Sequence, residues 1–226
     1  MRRLFGTDGV RGVANDFLSC EIALEIGRAL GSIISQNENE RPKVLIGMDT
    51  RISSDMLTIA LGAGLCSAGC DVLSLGVIPT PAVAYLTVKY GAQAGVMISA
   101  SHNSFEYNGI KIFGADGFKL SDELEEEIES IVFEKKSTEL VCKSENIGRF
   151  YEKKEAKADY LAHLKETCST RLDGLKIAID CANGASSAVA EELFTELGAK
   201  CFILSNTPDG ININDKCGST HLGALK

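Results

Sequence analysis

Tryptophan is absent from this chain, and aromatic residues make up only 6% of it. A stacking platform for single-stranded nucleic acid needs several exposed rings among basic neighbours. Here acidic residues outnumber basic ones and the formal net charge is −8, which opposes contact with a phosphate backbone. Nucleic acid is therefore not an expected partner. No apolar run approaches the roughly 20 residues that cross a bilayer, and the opening Met1-Arg2-Arg3-Leu4-Phe5-Gly6 has no apolar signal core. A membrane is not an expected partner either. Cysteine is plentiful, with eight residues, but no CxxC occurs and the three histidines lie far apart, so no zinc-ligand spacing is present. Cys66 and Cys70 are expected on one face of an apolar helix as small core residues. Free thiols in a chain of this size point to a reducing compartment, and a cytoplasmic location is expected.

What is present is alternation of strand and helix patterns. Ser19 can cap a helix from Cys20, with Ile22, Ile26, Leu30, Ile33 and Ile34 on one face. Gly27 and Gly31, one turn apart, imply close packing on that helix. A short apolar strand over Lys43–Asp49 ends in Asp49-Thr50-Arg51, a polar cluster placed where open α/β sheets bind ligands. A helix over Asp55–Ala68, a strand over Asp71–Val77 and a helix over Ala82–Tyr90, capped by Thr80 with Pro81 first, lead to a strand over Gly95–Ala100. The pattern predicts an α/β/α layered domain with a mixed, largely parallel sheet. After a turn at Gly114–Gly117, Ser121 opens an acidic helix to about Phe133. From Glu134 to Asn146 the periodicity dissolves, and the expected domains are 1–150 and 151–226. A helix over Lys154–Cys168 follows, with Tyr160, Leu161, Leu164 and Cys168 inward. The strand, helix, strand and proline that begin at Lys43 are echoed from Lys176 to Pro208, so the second domain is expected to repeat the first design and to be incomplete, stopping after two strands. Such a domain exposes a sheet edge, and self-association through it is expected.

The chemistry concentrates at Val96–Phe113. A strand delivers Ser101-His102-Asn103, and a turn at Asn108-Gly109 returns the chain through Lys111. A sheet fixes the position of a strand-end hydroxyl. His102 can assist proton transfer or bind a phosphate oxygen, and Asn103 can donate hydrogen bonds. Lys111 alternates against Ile110 and Ile112 and faces away from them. On spacing alone it is either a solvated strand residue or a cation beside the serine. Phe5–Gly12 carries three glycines and Arg11, a shaped loop with a planar fork for phosphate or a plain surface turn. A serine hydrolase is disfavoured, because the Gly-x-Ser-x-Gly elbow is missing and adjacent residues on extended backbone point opposite ways.

Ile98-Ser99-Ala100-Ser101-His102-Asn103, followed by Asn108-Gly109-Ile110-Lys111, resembles the phosphoserine signature of the α-D-phosphohexomutases. Phe5–Gly12, Pro208-Asp209-Gly210 and Cys217-Gly218-Ser219-Thr220 are similar to the phosphoglucosamine mutase branch of that family. Ser104 departs from the family, where many members have proline. The resemblance implies that Ser101 carries a phosphoryl group, gives it to a hexosamine phosphate to form a bisphosphate, and recovers the other phosphate. Glucosamine 6-phosphate and glucosamine 1-phosphate would be interconverted, supplying amino-sugar and cell-wall precursors. It further implies Lys111 as general acid/base, His102 and Arg11 lining the phosphoryl site, Asn103 binding substrate, and Mg2+ contacting Ser101 through its phosphate. A phosphoserine carries about −1.5 to −2 charges at neutral pH, and magnesium suits phosphate oxygens. The family's Asp-x-Asp-x-Asp metal loop does not occur. Asp180 is read as structural, and the chain as the amino-terminal half of a mutase, inactive alone. The alternatives are a phosphoglucomutase or phosphomannomutase, and a non-catalytic sugar-phosphate binding module.

Overall fold

The computed structural model describes residues 4–35 and 41–226. Residues 1–3, which carry part of the reading of the N-terminus, lie outside the described residues. Six strands form one sheet: β1 (Val10–Val13), β2 (Lys43–Met48), β3 (Asp71–Val77), β4 (Ala94–Ile98), β5 (Tyr107–Gly114) and β6 (Phe150–Glu152), in the spatial order β1-β5-β4-β2-β3-β6. The β2–β3, β2–β4 and β3–β6 pairings are parallel, whereas β4–β5 and β1–β5 are antiparallel. The sheet is therefore mixed and largely parallel, as the alternation of elements predicts.

Its two faces are buried by different helices, and the strand pleat sorts the side chains between them. Val44, Ile46, Val96, Ile98, Ile110 and Ile112 join one core with α1 (Cys20–Ser35), α2 (Ile52–Ser67) and α4 (Asp122–Phe133). Leu45, Met97 and Phe113 point the other way, toward α3 (Thr80–Lys89) and α5 (Ala156–Thr167). Ser19 caps α1 through its hydroxyl, and Ser121 does the same for α4. The close packing signalled by Gly27 is a helix crossing: a Cβ on Gly27 would lie 2.3 Å from the Leu61 carbonyl oxygen, and one on Gly64 2.2 Å from that of Leu24. At these two positions only glycine lets the α1 and α2 backbones touch.

Several local expectations shift. Helix α2 begins at Ile52, three residues early, because the Ile52 N–H is bonded to the Gly210 carbonyl at 2.8 Å, a partner remote in sequence. It ends at Ser67, so Cys70 lies beyond it, on the approach to β3, rather than on one helix face with Cys66. Helix α3 starts at Thr80 with Pro79 in the cap position; Thr80 is inside the helix and makes no cap bond. Cys168 follows the last turn of α5 and is exposed, not inward.

The boundary expected between 150 and 151 falls inside β6, which extends the first sheet beyond β3. Helix α5 also lies on that unit: His163 stacks on Tyr85 with centroids 3.7 Å apart, and the Tyr90 hydroxyl donates to Asp159 at 2.6 Å. Beyond it, β7 (Lys176–Asp180) and β8 (Lys200–Leu204) form a parallel pair joined through α6 (Ala190–Glu196), the strand-helix-strand unit that echoes β2-α2-β3.

Candidate functional site

Ser101 stands just past the carboxyl end of β4. The Ser99 N–H still reaches the Gly109 carbonyl of β5 at 2.9 Å, which anchors the loop to the sheet. Two residues later the chain turns, and Ser101 adopts φ +58°, a left-handed conformation that costs a non-glycine residue energy. Three contacts hold it. Its N–H donates to the Ser99 hydroxyl at 3.0 Å, and its carbonyl accepts from Arg51 Nη2 at 3.2 Å and Asn214 Nδ2 at 2.9 Å. The Asn103 carbonyl accepts from the same two groups at 2.7 and 2.9 Å. The side chains of Ser101 and His102 are left exposed.

Arg51 is the centre of this arrangement. It is 2% exposed and is ion-paired with Asp49, which is 3% exposed. Asp49 also accepts from the Arg51 N–H and the Ser54 hydroxyl, so both its oxygens are engaged. Burial pushes the Arg51 pKa below the ordinary arginine value. The Asp49 carboxylate opposes this, and the like charge of Arg11 adds to it. Asn108 braces the returning strand: its amide donates to the Ser53 and Ser54 hydroxyls and its oxygen accepts the Gly109 N–H.

Ser101 and His102 open into a cavity of about 380 Å³ between the two units, with Thr80, Ser99, Asp180, Asn214 and Ser219 around it. Lys111 lies in an adjoining cavity of about 220 Å³ that shares Thr80 as a wall. It projects from the face of β5 opposite Ile110 and Ile112, 24% exposed, with Nζ 3.9 Å from Asp8. Arg11 sits on β1 opposite Gly109 and pairs with the same Asp8 at 3.2 Å; its Nε is buried without a partner. It lines a third cavity, on the side of Phe5–Gly9 and α4. The sequence-predicted residues are thus arranged as a series: Ser101 with His102, then Lys111 across Thr80, then Arg11 across Asp8. The Asn103 main-chain carbonyl is held by the same Arg51 and Asn214 groups as that of Ser101.

Sequence reasoning gave no role to Asp8 or Asn214, and it read Asn108 as a turn residue, whereas Asn108 lies inside β5. Asp8 had a signal, lying between two glycines in the loop that carries Arg11. Arg51 and Asp49 stood in the polar cluster after β2, although nothing in that cluster showed which loop they would reach.

A magnesium cage does not fit the residues present. Among the described residues no group of three or more His, Cys, Asp or Glu side chains could hold a metal ion. Asp180, the carboxylate nearest in kind, accepts the Ala182 N–H at 2.9 Å with one oxygen and the Gly218 N–H at 2.7 Å with the other. Burial alone would raise its pKa. The Gly218 and Ala182 N–H groups and the Ser205 hydroxyl outweigh burial and hold it below the usual aspartate value.

Residues 2–139 match the family described as phosphoglucomutase/phosphomannomutase, alpha/beta/alpha domain I. The phosphoglucosamine mutase of Clostridioides difficile is 54% identical over 221 residues, covering 98% of this chain and 49% of the relative. That of Acetivibrio thermocellus is 54% identical over 226 residues, covering 100% of this chain and 50% of its own length. A Burkholderia thailandensis phosphoglucomutase/phosphomannomutase family protein superposes with a TM-score of 0.78 at 25% identity, over 92% of this chain and 44% of that one. The chain spans about half the length of the curated relatives it matches.

Proposed function

Because the chain belongs to the phosphoglucomutase/phosphomannomutase family, we propose that it forms the amino-terminal half of an enzyme that interconverts glucosamine 6-phosphate and glucosamine 1-phosphate. The observation that carries this reading is the presentation of Ser101, an exposed hydroxyl on a left-handed backbone that is held from below by a buried arginine. Phosphoryl transfer asks the protein for positioning and charge neutralisation more than for covalent help.

In the proposed cycle a phosphate on Ser101 Oγ passes to a free hydroxyl of the hexosamine phosphate. The Oγ–P bond breaks, a sugar O–P bond forms, and the proton of the attacking hydroxyl passes by way of the Lys111 amine to the departing Ser101 Oγ. The bisphosphate then returns its other phosphate to Ser101: Oγ attacks, that sugar O–P bond breaks, and the Ser101 proton passes by way of Lys111 to the departing sugar oxygen. One feature of the Lys111 environment supports this role: its cavity adjoins that of the serine across Thr80. His102 beside Ser101 and Arg11, with its unpartnered Nε, supply charge and donors for phosphate oxygens. Magnesium would meet the phosphate on Ser101, with its carboxylate ligands supplied from outside these 226 residues.

The glucosamine reading over glucose or mannose is favoured by the 54% identity to relatives named phosphoglucosamine mutase. Relative rates of the complete protein on the three sugar phosphates decide this point, and equal or faster turnover of the glucose or mannose compound would remove it. Intact mass of the protein before and after phosphatase treatment should show one labile phosphate, lost in Ser101→Ala. Phosphate retained in that variant would end the assignment. The 226-residue chain by itself is expected to convert no glucosamine 6-phosphate.

A further inference from the structure

Each of two main-chain carbonyls, those of Ser101 and Asn103, has two lone pairs to satisfy. In both cases one bond comes from each side of the cavity: Arg51 Nη2 from the first unit and Asn214 Nδ2 from the second. The pair of acceptors dictates which end of the Asn214 amide faces the loop, since only its nitrogen can donate. Asn214 itself has φ +59°, a conformation that asparagine tolerates better than most residues. It is held in place by its own N–H, which donates to the Ala182 carbonyl at 2.9 Å. The neighbouring crossings, Thr50 hydroxyl to the Asn183 carbonyl and Ile52 N–H to the Gly210 carbonyl, bring the second unit against the loop after β2.

We propose that Asn214 is a positioning residue: it ties the backbone of the serine loop to the second unit, so that the direction of the Ser101 hydroxyl is set from both sides of the cavity. Arg51 is buried and fixed by Asp49, so it supplies a constant restraint. Asn214 supplies one that exists only while the 212–214 loop lies against the serine loop. With the units apart, the strained Ser101 loses one of its three holding contacts. The catalytic part of this proposal rests on the phosphoryl-carrier role of Ser101, whereas the clamp itself does not.

Two variants separate the amide from the backbone it sits on. Asn214→Asp keeps the size and the left-handed tolerance but turns an acceptor toward two carbonyls. Asn214→Gly keeps the backbone freedom and removes the side chain. In the 226-residue chain, the Ser101 and Asn103 N–H groups, bonded to the Ser99 hydroxyl and the Ala100 carbonyl, report opening of the loop, and their exchange should speed up about tenfold in both variants, the scale of losing the two Asn214 bonds to the loop's carbonyls, while α1 and β2 amides keep their rates. Unchanged exchange at Ser101 and Asn103, or faster exchange spread equally over α1 and β2, overturns the clamp. In the complete protein, kcat should fall about tenfold with KM unchanged; a rise in KM at constant kcat overturns the positioning role. If the unsubstituted complete protein transfers no phosphoryl group, the proposed function fails, and the exchange result still decides the clamp.

Discussion

Arg51 spends a full charge in the interior to hold a loop. Burying an ion pair is costly, and removing one partner is costlier, because the remaining charge stays buried without compensation. Arg51→Ala would leave Asp49 unpaired at 3% exposure and take one donor from each of two carbonyls. It should lower the stability of the chain by about 3–5 kcal/mol, read from the midpoint of urea unfolding at neutral pH. Arg51→Lys should recover only part of this, since an ammonium cannot span Asp49 and the two carbonyls as a planar fork does. A loss under 1 kcal/mol in the alanine variant would show that the pair is not what secures the loop. The sequence drew attention to the proposed reacting groups more readily than to this support. Ser101, His102 and Lys111 are legible because they sit in a short, chemically unusual stretch. Arg51 and Asn214 are not, because their partners lie 50 and 113 positions away.

Among the elements, those whose stability is local match their sequence patterns closely. Helices α1 and α4 start where Ser19 and Ser121 provide caps, and β2 to β4 lie where the apolar runs are. Divergence comes where a distant group decides the boundary, as at the start of α2, bonded to Gly210, or at β6, whose exposed three residues carry little pattern and are recruited by β3. The end of β7 offers a measurable case of such remote tying. Asp180 joins it to the loop at Gly218, and its pKa is held below the usual aspartate value by N–H donors that outweigh burial. A carboxylate with a depressed folded-state pKa contributes stability that is present above its unfolded-state pKa and lost as pH falls through the folded value. Acid unfolding should therefore show stability declining from the ordinary aspartate range downward. Asp180→Asn should cost about 1–2 kcal/mol at pH 7 and flatten that acid decline. An unchanged pH profile would mean that the tie contributes nothing net.

At the scale of the whole molecule the two units are unequal. The first has a sheet covered on both faces, and the second a two-stranded sheet with Phe202 48% exposed and Leu175 52% exposed beside it. We propose that this surface drives self-association of the 226-residue chain, and light scattering should show its mean mass rising with concentration. A constant monomer mass at high concentration would refute it. That β7 and β8 form a two-stranded sheet of their own was legible from the internal echo. The contact of the second unit with the serine loop was not, because nothing local in residues 205–219 names a partner. The strand order has one more consequence, which concerns the birth of the chain on the ribosome. Val10 pairs with Ile110, and Val72 with Phe150, so β1 is synthesised early and must wait for β5, while β3 keeps an open flank until β6 emerges. Contacts so far apart in sequence close slowly, and open strand flanks invite pairing with other chains. The first unit should therefore be most vulnerable to misassembly in the interval before residue 152 leaves the ribosome, when its central strands exist and the β3 flank of its sheet is still open.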